Sequence, residues 1–304
     1  MEGKDFLSIQ DVSNGDIRSL IEKSARMKRE ESPQILKGKN IALLFEKPSL
    51  RTRVSFEVGI TQMGGNSIFM GGNEIGLGIR EPESDVAMVL DRWVDCLVAR
   101  VFSHNSLTLL ASNCSIPVVN ALSDKAHPCQ AIADCLTIYE QKGRLEGLKL
   151  AFIGDGNNVA SSLALACSHA GMDFSIASPD SYKLSSDIWE KANKISSTNR
   201  TNLLWTSDPK EAVKNADVIY TDVWVSMGDE IESEERLRKF SGYQVNEDLV
   251  SYAKSDFLFM HDMPAHRGEE ISQHMLEHPN SVVYEQAENR LHAQKTIIAD
   301  LFGH

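Results

Sequence analysis

Short, wholly apolar runs alternate with helix-like patterns along nearly the whole chain, and this rhythm constrains the fold most. Ile41–Phe45 reads IALLF, five apolar residues with no polar alternate. A strand that shows only one face to the core alternates apolar with polar; a continuous run fits a strand buried on both faces. Strand-like runs recur at Asn66–Met70, Cys96–Ala99, Pro117–Asn120, Leu148–Ile153, Phe174–Ala177, Leu203–Thr206, Val218–Thr221 and Phe257–His261. Helical spacing predicts helices between them, among them Asp11–Glu30, Thr52–Met63, Glu83–Trp93, Leu107–Cys114, Pro128–Tyr139, Val159–Ala170 and Gln286–Phe302. Such alternation predicts an α/β fold of parallel sheets covered by helices on both faces. The 304 residues are enough for two domains at about 150 residues each. Two doubly wound domains are therefore expected, with Gln141–Gly147 (QKGRLEG) as the hinge.

Charge narrows the partners. Lys and Arg number 31 against 43 Asp and Glu, a net charge of −12. A nucleic-acid binder needs a basic surface, so none is expected. A small anion held by a few local arginines is compatible. The five cysteines form no C-x-x-C pair and read as core thiols of a reducing compartment. No apolar run approaches the roughly 18 residues of a membrane span, and MEGKDFLSIQD carries no hydrophobic signal region. A cytoplasmic protein with no membrane partner is the expectation.

In open α/β sheets, ligands sit beyond the carboxyl ends of the strands. The loop after Ile41–Phe45 is EKPSLRTR and runs straight into a helix. Helix N-termini offer unpaired N–H groups and partial positive charge, which suits a phosphate. Ser49, Arg51, Thr52 and Arg53 form the candidate cradle, unless Arg53 faces a neighbouring carboxylate and serves structure. Arg100 ends another strand-like run, where a lone arginine is more often structural. His127-Pro128-Cys129-Gln130 opens a helix, with Pro tolerated in the first turn. Gly154-Asp155-Gly156 invites a dinucleotide reading, but Val159 occupies the third glycine of G-x-G-x-x-G, so the fingerprint fails. Asp222 and Ser226, with the backbone at Met227, suit the ammonium and carboxylate of an amino acid.

Taken together, these segments resemble the aspartate/ornithine carbamoyltransferase family. FEKPSLRTRVSFE is similar to its S-T-R-T-R phosphate signature, with Leu50 in place of threonine. VARVFSH and H-P-C-Q resemble its carbamoyl phosphate segments, G-D-G-N-N its amino-acid-binding turn, and D-V-W-V-S-M-G the segment that marks the ornithine branch. HDMPAHRG is similar to H-C-L-P-A-H-R-G, with Asp262 for cysteine and Met263 for leucine. Glu288-Asn289-Arg290 resembles the E-N-R of the last helix. The matches keep the family's order and spacing over residues 41 to 295.

The resemblance implies residues 1–142 as a carbamoyl phosphate domain, 148–285 as an L-ornithine domain, and 286–304 as a helix packing back on the first domain. It implies transfer of a carbamoyl group from carbamoyl phosphate to the δ-amine of L-ornithine in arginine metabolism, with no cofactor and no metal. Ser49, Leu50, Arg51, Thr52, Arg100, His127, Gln130, Asp262, Met263 and Arg290 would hold carbamoyl phosphate. Asn158, Asp222, Ser226 and Met227 would hold ornithine. Arg100, His127 and Asp262 would act in the chemistry. A homotrimer is implied, although Gly76 stands where many members carry a cross-subunit glutamine, with Arg80 as the candidate substitute. Rival readings are a carbamoyltransferase for putrescine or N-acetylornithine, a non-catalytic relative that lost turnover with the cysteine, and an NAD-dependent dehydrogenase, which lacks its glycine.

Overall fold

The computed structural model describes residues 4–226, 228 and 230–304. Contacts divide the chain into two compact units, Met1–Leu136 with Glu288–His304, and Thr137–Ala287.

The first unit is built on a four-stranded sheet. Its strands are β1 (Asn40–Phe45), β2 (Asn66–Gly71), β3 (Cys96–Arg100) and β4 (Val118–Leu122), in spatial order β2-β1-β3-β4. Every pairing is parallel. The apolar runs are buried as their composition requires: Ile41, Ala42, Leu43 and Leu44 are all inaccessible. Each fully buried leucine is worth about 1.5–3 kcal/mol relative to exposure, so a run of this kind dictates a central strand. Alternate residues Ala42, Leu44, Leu97 and Ala99 share one core cluster with Val86, Leu90, Leu107 and Leu110 from the helices on that face. Edge strand β2 is half-exposed.

The second unit carries β5 (Lys149–Ile153), β6 (Asp173–Ala177), β7 (Leu203–Thr206), β8 (Val218–Thr221) and β9 (Leu258–His261), ordered β7-β6-β5-β8-β9 and again all parallel. Ala151, Ile153, Ile219 and Phe259 pack with Val213, Phe240, Ile271 and Met275 on one face. The residues between them point the other way, where Phe152 stacks on Tyr220 at 5.5 Å. Both units are thus doubly wound sheets.

Helix ends differ from the periodicity by a few residues, for local reasons. The first helix spans Asn14–Arg29, not Asp11–Glu30, because Ser13 caps it and Asp16 returns a bond to the Ser13 N–H. The helix expected at Leu107 starts at His104, with the Ser103 hydroxyl accepting from Asn105 N–H. The one expected to reach Trp93 ends at Leu90.

The last helix spans Val283–Leu301. From Glu288 onward it belongs to the first unit. Lys28 Nζ donates to Asn289 Oδ1 at 2.9 Å, and Lys23 pairs with Asp300 at 2.5 Å. Lys295 is buried and donates to Ser32 Oγ and Gln62 Oε1. Burial lowers the pKa of that amine.

Candidate active site

In the first sheet, β2 lies on one side of β1 and β3 on the other, so the topology switches between β1 and β3. Ligand crevices open at such points. Phe45 at the end of β1 is paired with Arg100 at the end of β3. The register with β4 slips between Ala99 and Arg100, a local irregularity of the kind that re-aims a side chain.

The helix Leu50–Gln62 begins beyond β1, two residues earlier than its periodicity suggests, because Ser49 caps it. The Ser49 hydroxyl accepts from Thr52 N–H at 3.2 Å. Leu50 is therefore the first helical residue. Its N–H is among the unpaired donors of the helix end, while its side chain is 74% exposed. A threonine-to-leucine change there leaves the backbone donor intact. Thr52 is fully buried. Its hydroxyl accepts from Arg290 Nη2 at 2.6 Å and from Arg100 Nη1 at 3.3 Å. Two guanidinium groups thus converge on one buried hydroxyl at a helix N-terminus. Arg51, on the same first turn, is half-buried. Arg53 takes the other of its two readings: its Nε donates to Glu57 at 2.9 Å, and its guanidinium lies 3.6 Å from the centre of the Phe69 ring.

His127 is buried at the mouth of the helix Pro128–Lys142. Burial, then the charges of Arg290 and Arg100, hold its pKa well below the usual imidazole value. It is a neutral imidazole near neutrality, able to donate from one ring nitrogen. Gln130 is also buried, and its Nε2 donates to Asp134 Oδ1 at 2.8 Å. Burial pushes the Cys129 thiol up to about 12, which leaves it inert as a nucleophile.

In the second sheet the switch lies between β5 and β8, where Ile153 pairs with Thr221, and Thr221 pairs in turn with His261 of β9. The three strand ends therefore deliver Gly154-Asp155-Gly156-Asn157, Asp222 and Asp262 side by side. Gly156 has a steric reason: a Cβ there would lie 2.4 Å from Leu184 N. The dinucleotide reading fails structurally too. Asn157 caps the helix Asn158–Ala170, its Oδ1 accepting from Val159 and Ala160 N–H, so those donors are already occupied. Asn157 Nδ2 donates to Asp222 Oδ2 at 2.7 Å, and Val223 N–H donates to Asp222 Oδ1 at 2.7 Å. Asn158 is the first residue of that helix and half-buried, as is Ser226. Met227 lies outside the described residues.

Asp222, His261 and Asp262 place ligand-type atoms within 4.8 Å of one another. His261 is inaccessible, and both its ring nitrogens are engaged. Nδ1 accepts from Met263 N–H at 2.9 Å, so Nε2 carries the proton and faces Glu270 Oε1 at 3.1 Å. The same oxygen accepts from His266 N–H at 2.5 Å. This buried His–Glu pair fixes the turn in which Met263 has φ 62° and a cis bond to Pro264. An imidazole tied at both nitrogens is poorly placed to ligate a metal. Asp262 is 3.6 Å from His261 Nδ1.

The residues that sequence reading missed are the supports. Asn157, Asp134, His261 as a brace and Glu270 are among them. Arg236 is another, bonding Asp155 at 2.7 Å and the Trp224 carbonyl at 3.1 Å. Asn157 had a signal, an Asn just ahead of a helix; so had Asp134, four residues after Gln130. Arg80 Nη1 donates to the Glu74 carbonyl at 3.2 Å within its own loop. A Cβ at Gly76 would come within 2.8 Å of the Arg80 Cβ.

Residues 4–140 match the family model described as the aspartate/ornithine carbamoyltransferase carbamoyl-P binding domain, and residues 146–301 its Asp/Orn binding domain. An ornithine carbamoyltransferase of Bacillus subtilis is 48% identical over 97% of this chain and 93% of its own length. An anabolic ornithine carbamoyltransferase of Pyrococcus furiosus is 46% identical, covering 100% of this chain and 98% of its own. A solved ornithine carbamoyltransferase structure from Pyrococcus furiosus superposes with a TM-score of 0.96 at 44% identity, over 99% of this chain and 98% of that one. The chain belongs to the aspartate/ornithine carbamoyltransferase family.

Proposed function

We propose that this chain is an enzyme that transfers the carbamoyl group of carbamoyl phosphate to the δ-amine of L-ornithine, giving L-citrulline and phosphate. The observation that carries this is the buried Thr52 hydroxyl bonded by Arg100 and Arg290 at a helix N-terminus. The family membership and the D-x-W-x-S-M-G segment support ornithine as acceptor. Arginine biosynthesis is the setting, in keeping with the anabolic relative.

The amine nitrogen attacks the carbamoyl carbon, forming a C–N bond and a tetrahedral oxyanion. Collapse breaks the bond to the phosphate oxygen, and the amine loses a proton. Thr52, Arg100 and neutral His127 serve as preorganised donors to the oxyanion. Ser49, the N–H of Leu50, Arg51, Thr52, Arg100 and Arg290 receive the departing phosphate, while Gln130 and the Met263 backbone hold the carbamoyl group. Asp222, with Asn158, Ser226 and Met227, holds the α-amino acid end.

Only the neutral amine is nucleophilic, and an alkylammonium pKa near ~10.4 makes it scarce at neutral pH. In this reading Asp262 accepts a hydrogen bond or a proton from it. A carboxylate also favours the ammonium form, so turnover should persist with a pH profile displaced from that of a cysteine-bearing relative. Asp262→Asn should lose kcat with carbamoyl phosphate binding kept; an unchanged kcat across pH would remove the base role.

The protein is read as a cytoplasmic homotrimer. Its cysteines are all free thiols, and no described helix is long and apolar enough to cross a membrane. Leu50, Val54 and Val58 recur every four residues on an exposed helix face, apolar surface that copies of the chain would cover. The deciding experiment is carbamoyl transfer to ornithine, putrescine, aspartate and N-acetylornithine in parallel from about pH 6 to 10, with light scattering for the assembly. Turnover with ornithine alone is expected. Preference for putrescine or N-acetylornithine would reassign the acceptor, and silence with all four would leave a non-catalytic binder.

A further inference from the structure

We propose that Asp134 orients the Gln130 amide so that its carbonyl oxygen faces the NH2 of a bound carbamoyl group, and thereby sets the preference for carbamoyl over acetyl phosphate. This rests on the reading that the first unit holds carbamoyl phosphate. Gln130 and Asp134 lie one turn apart on the helix Pro128–Lys142, a spacing at which side chains meet. They are 1% and 0% exposed.

A side-chain amide has a donor end and an acceptor end of nearly equal size, so packing alone does not choose between its two orientations. Asp134 chooses: Gln130 Nε2 donates to Asp134 Oδ1 at 2.8 Å, and the carboxyl oxygen that accepts this bond holds the NH2 end. The NH2 end is therefore committed, and Oε1 is left as the acceptor end. Oε1 is buried and takes no hydrogen bond among the described residues. A buried acceptor without a donor is costly, and a ligand N–H removes that cost. His127, whose carbonyl accepts from Gln130 N–H at 3.2 Å, is a neutral donor on the same turn. The pair thus offers one donor and one acceptor, matching the C=O and NH2 of a carbamoyl group. An acetyl group has nearly the same shape, but its methyl cannot donate. Sites built to bond a substrate N–H reject analogues lacking it because their own polar atom is stranded. Asp134 is a positioning residue in this scheme and touches no substrate.

The test uses the full chain. KM for carbamoyl phosphate and Ki for acetyl phosphate and inorganic phosphate are measured for the parent, Asp134→Asn, Gln130→Glu and the double variant. An asparagine side chain in place of Asp134 can bond either end of the glutamine, so the amide loses its fixed orientation. Asp134→Asn is expected to raise KM for carbamoyl phosphate roughly ten- to hundredfold, leaving both Ki values and the ornithine KM within about twofold. Gln130→Glu sets two carboxylates against each other and should lose affinity similarly. In the double variant the two groups exchange roles. The amide that replaces the Asp134 carboxylate donates to one oxygen of the carboxylate that replaces the Gln130 amide. The other oxygen is left as acceptor, so most of the loss should be recovered. A purely structural role predicts no such recovery. If Asp134→Asn folds poorly, the double variant decides: a restored preference supports the proposal, and an unrestored one overturns it. An Asp134→Asn enzyme that keeps the parent's preference also overturns it. A parent that fails to carbamoylate ornithine would instead defeat the reading of the reaction, before Asp134 is at issue.

Discussion

At the carboxyl end of its sheet, the first unit gathers cations around a hydroxyl; the second gathers carboxylates around an imidazole. Thr52, Arg290 and His127 are buried and Arg100 half-buried, and Thr52 is bonded by both guanidinium groups. Asp222 is similarly braced by Asn157, but among the described residues beyond it Gly228 is exposed and Ile231 fully exposed. The difference follows from what each site receives. A phosphate gains charge as the reaction proceeds, so donors that are already placed save reorganisation in the transition state. An amino acid enters with its charges fixed and needs only to be held in position, which a loop can do. The first site is thus expected to govern kcat and the second KM.

The largest test of that contrast is Arg100→Met. On the proposed reading it removes a donor to both the phosphate and the oxyanion, and it leaves the Thr52 hydroxyl with one guanidinium. Loss of a single preorganised donor commonly costs 10²–10³ in kcat, and a loss of about 10³ in kcat/KM for carbamoyl phosphate is expected. Asp222→Asn should behave differently. Steady-state kinetics are expected to show the ornithine KM up roughly tenfold or more, with kcat and the KM for carbamoyl phosphate little changed. A fall in kcat as large as that of Arg100→Met would erase the distinction between the two sites.

The legibility of the two sites also differs, and for a physical reason. The central strands were readable because a strand buried on both faces is a short apolar run, and the half-exposed β2 and β7 because they fall between helix-like patterns in the same alternation. The anion loop was readable because a phosphate restricts what surrounds it to a helix N-terminus with hydroxyls and arginines. By itself, Arg100 resembled a structural arginine, and only the family resemblance raised it. Arg290 looked like a surface charge on a helix; it is 4% exposed because its helix returns to the first unit, which no local pattern reveals. The supports were the least visible. Glu270 is nine residues from His261, and Asn157 is 65 from Asp222. The first depends on how the turn after β9 folds back and the second on the pairing of β5 with β8, and spacing along the chain encodes neither.

A smaller effect concerns stability on the cationic side. His127 is buried neutral, with its pKa lowered by burial and by Arg290 and Arg100. The unfolded chain regains an ordinary imidazole near 6.5 and binds the proton more readily. Above that pH neither state is protonated and nothing is lost. As the pH falls below about 6.5 toward the lowered folded value, the unfolded state takes up the proton first, and stability drops by at most about 1.4 kcal/mol per pH unit. His104, also lowered by burial, acts in the same direction. Thermal unfolding between about pH 7.5 and 5.5 should therefore be steeper in the parent than in His127→Asn. Parallel curves would mean that His127 titrates alike in both states.

The smallest expected effect lies on the same helix as the buried Thr52 hydroxyl. Arg53 follows Thr52 directly, and from sequence it is as good a phosphate ligand as Arg51. Its guanidinium instead pairs with Glu57 four residues on and covers the Phe69 ring, with 44% of the side chain exposed. An exposed i,i+4 ion pair is worth about 0.3–0.5 kcal/mol, and the ring contact adds about 0.5–1 kcal/mol at an exposed site. Arg53→Gln should cost no more than their sum in denaturant unfolding and leave the KM for carbamoyl phosphate within about twofold. A tenfold rise would place Arg53 in the anion cradle and extend the first site to the face of the helix where Arg53 covers the Phe69 ring of β2. Substituting Glu57→Gln separates the two outcomes. If Arg53 is only structural, releasing it from Glu57 should not improve carbamoyl phosphate binding; if it is a ligand held in reserve, affinity should rise.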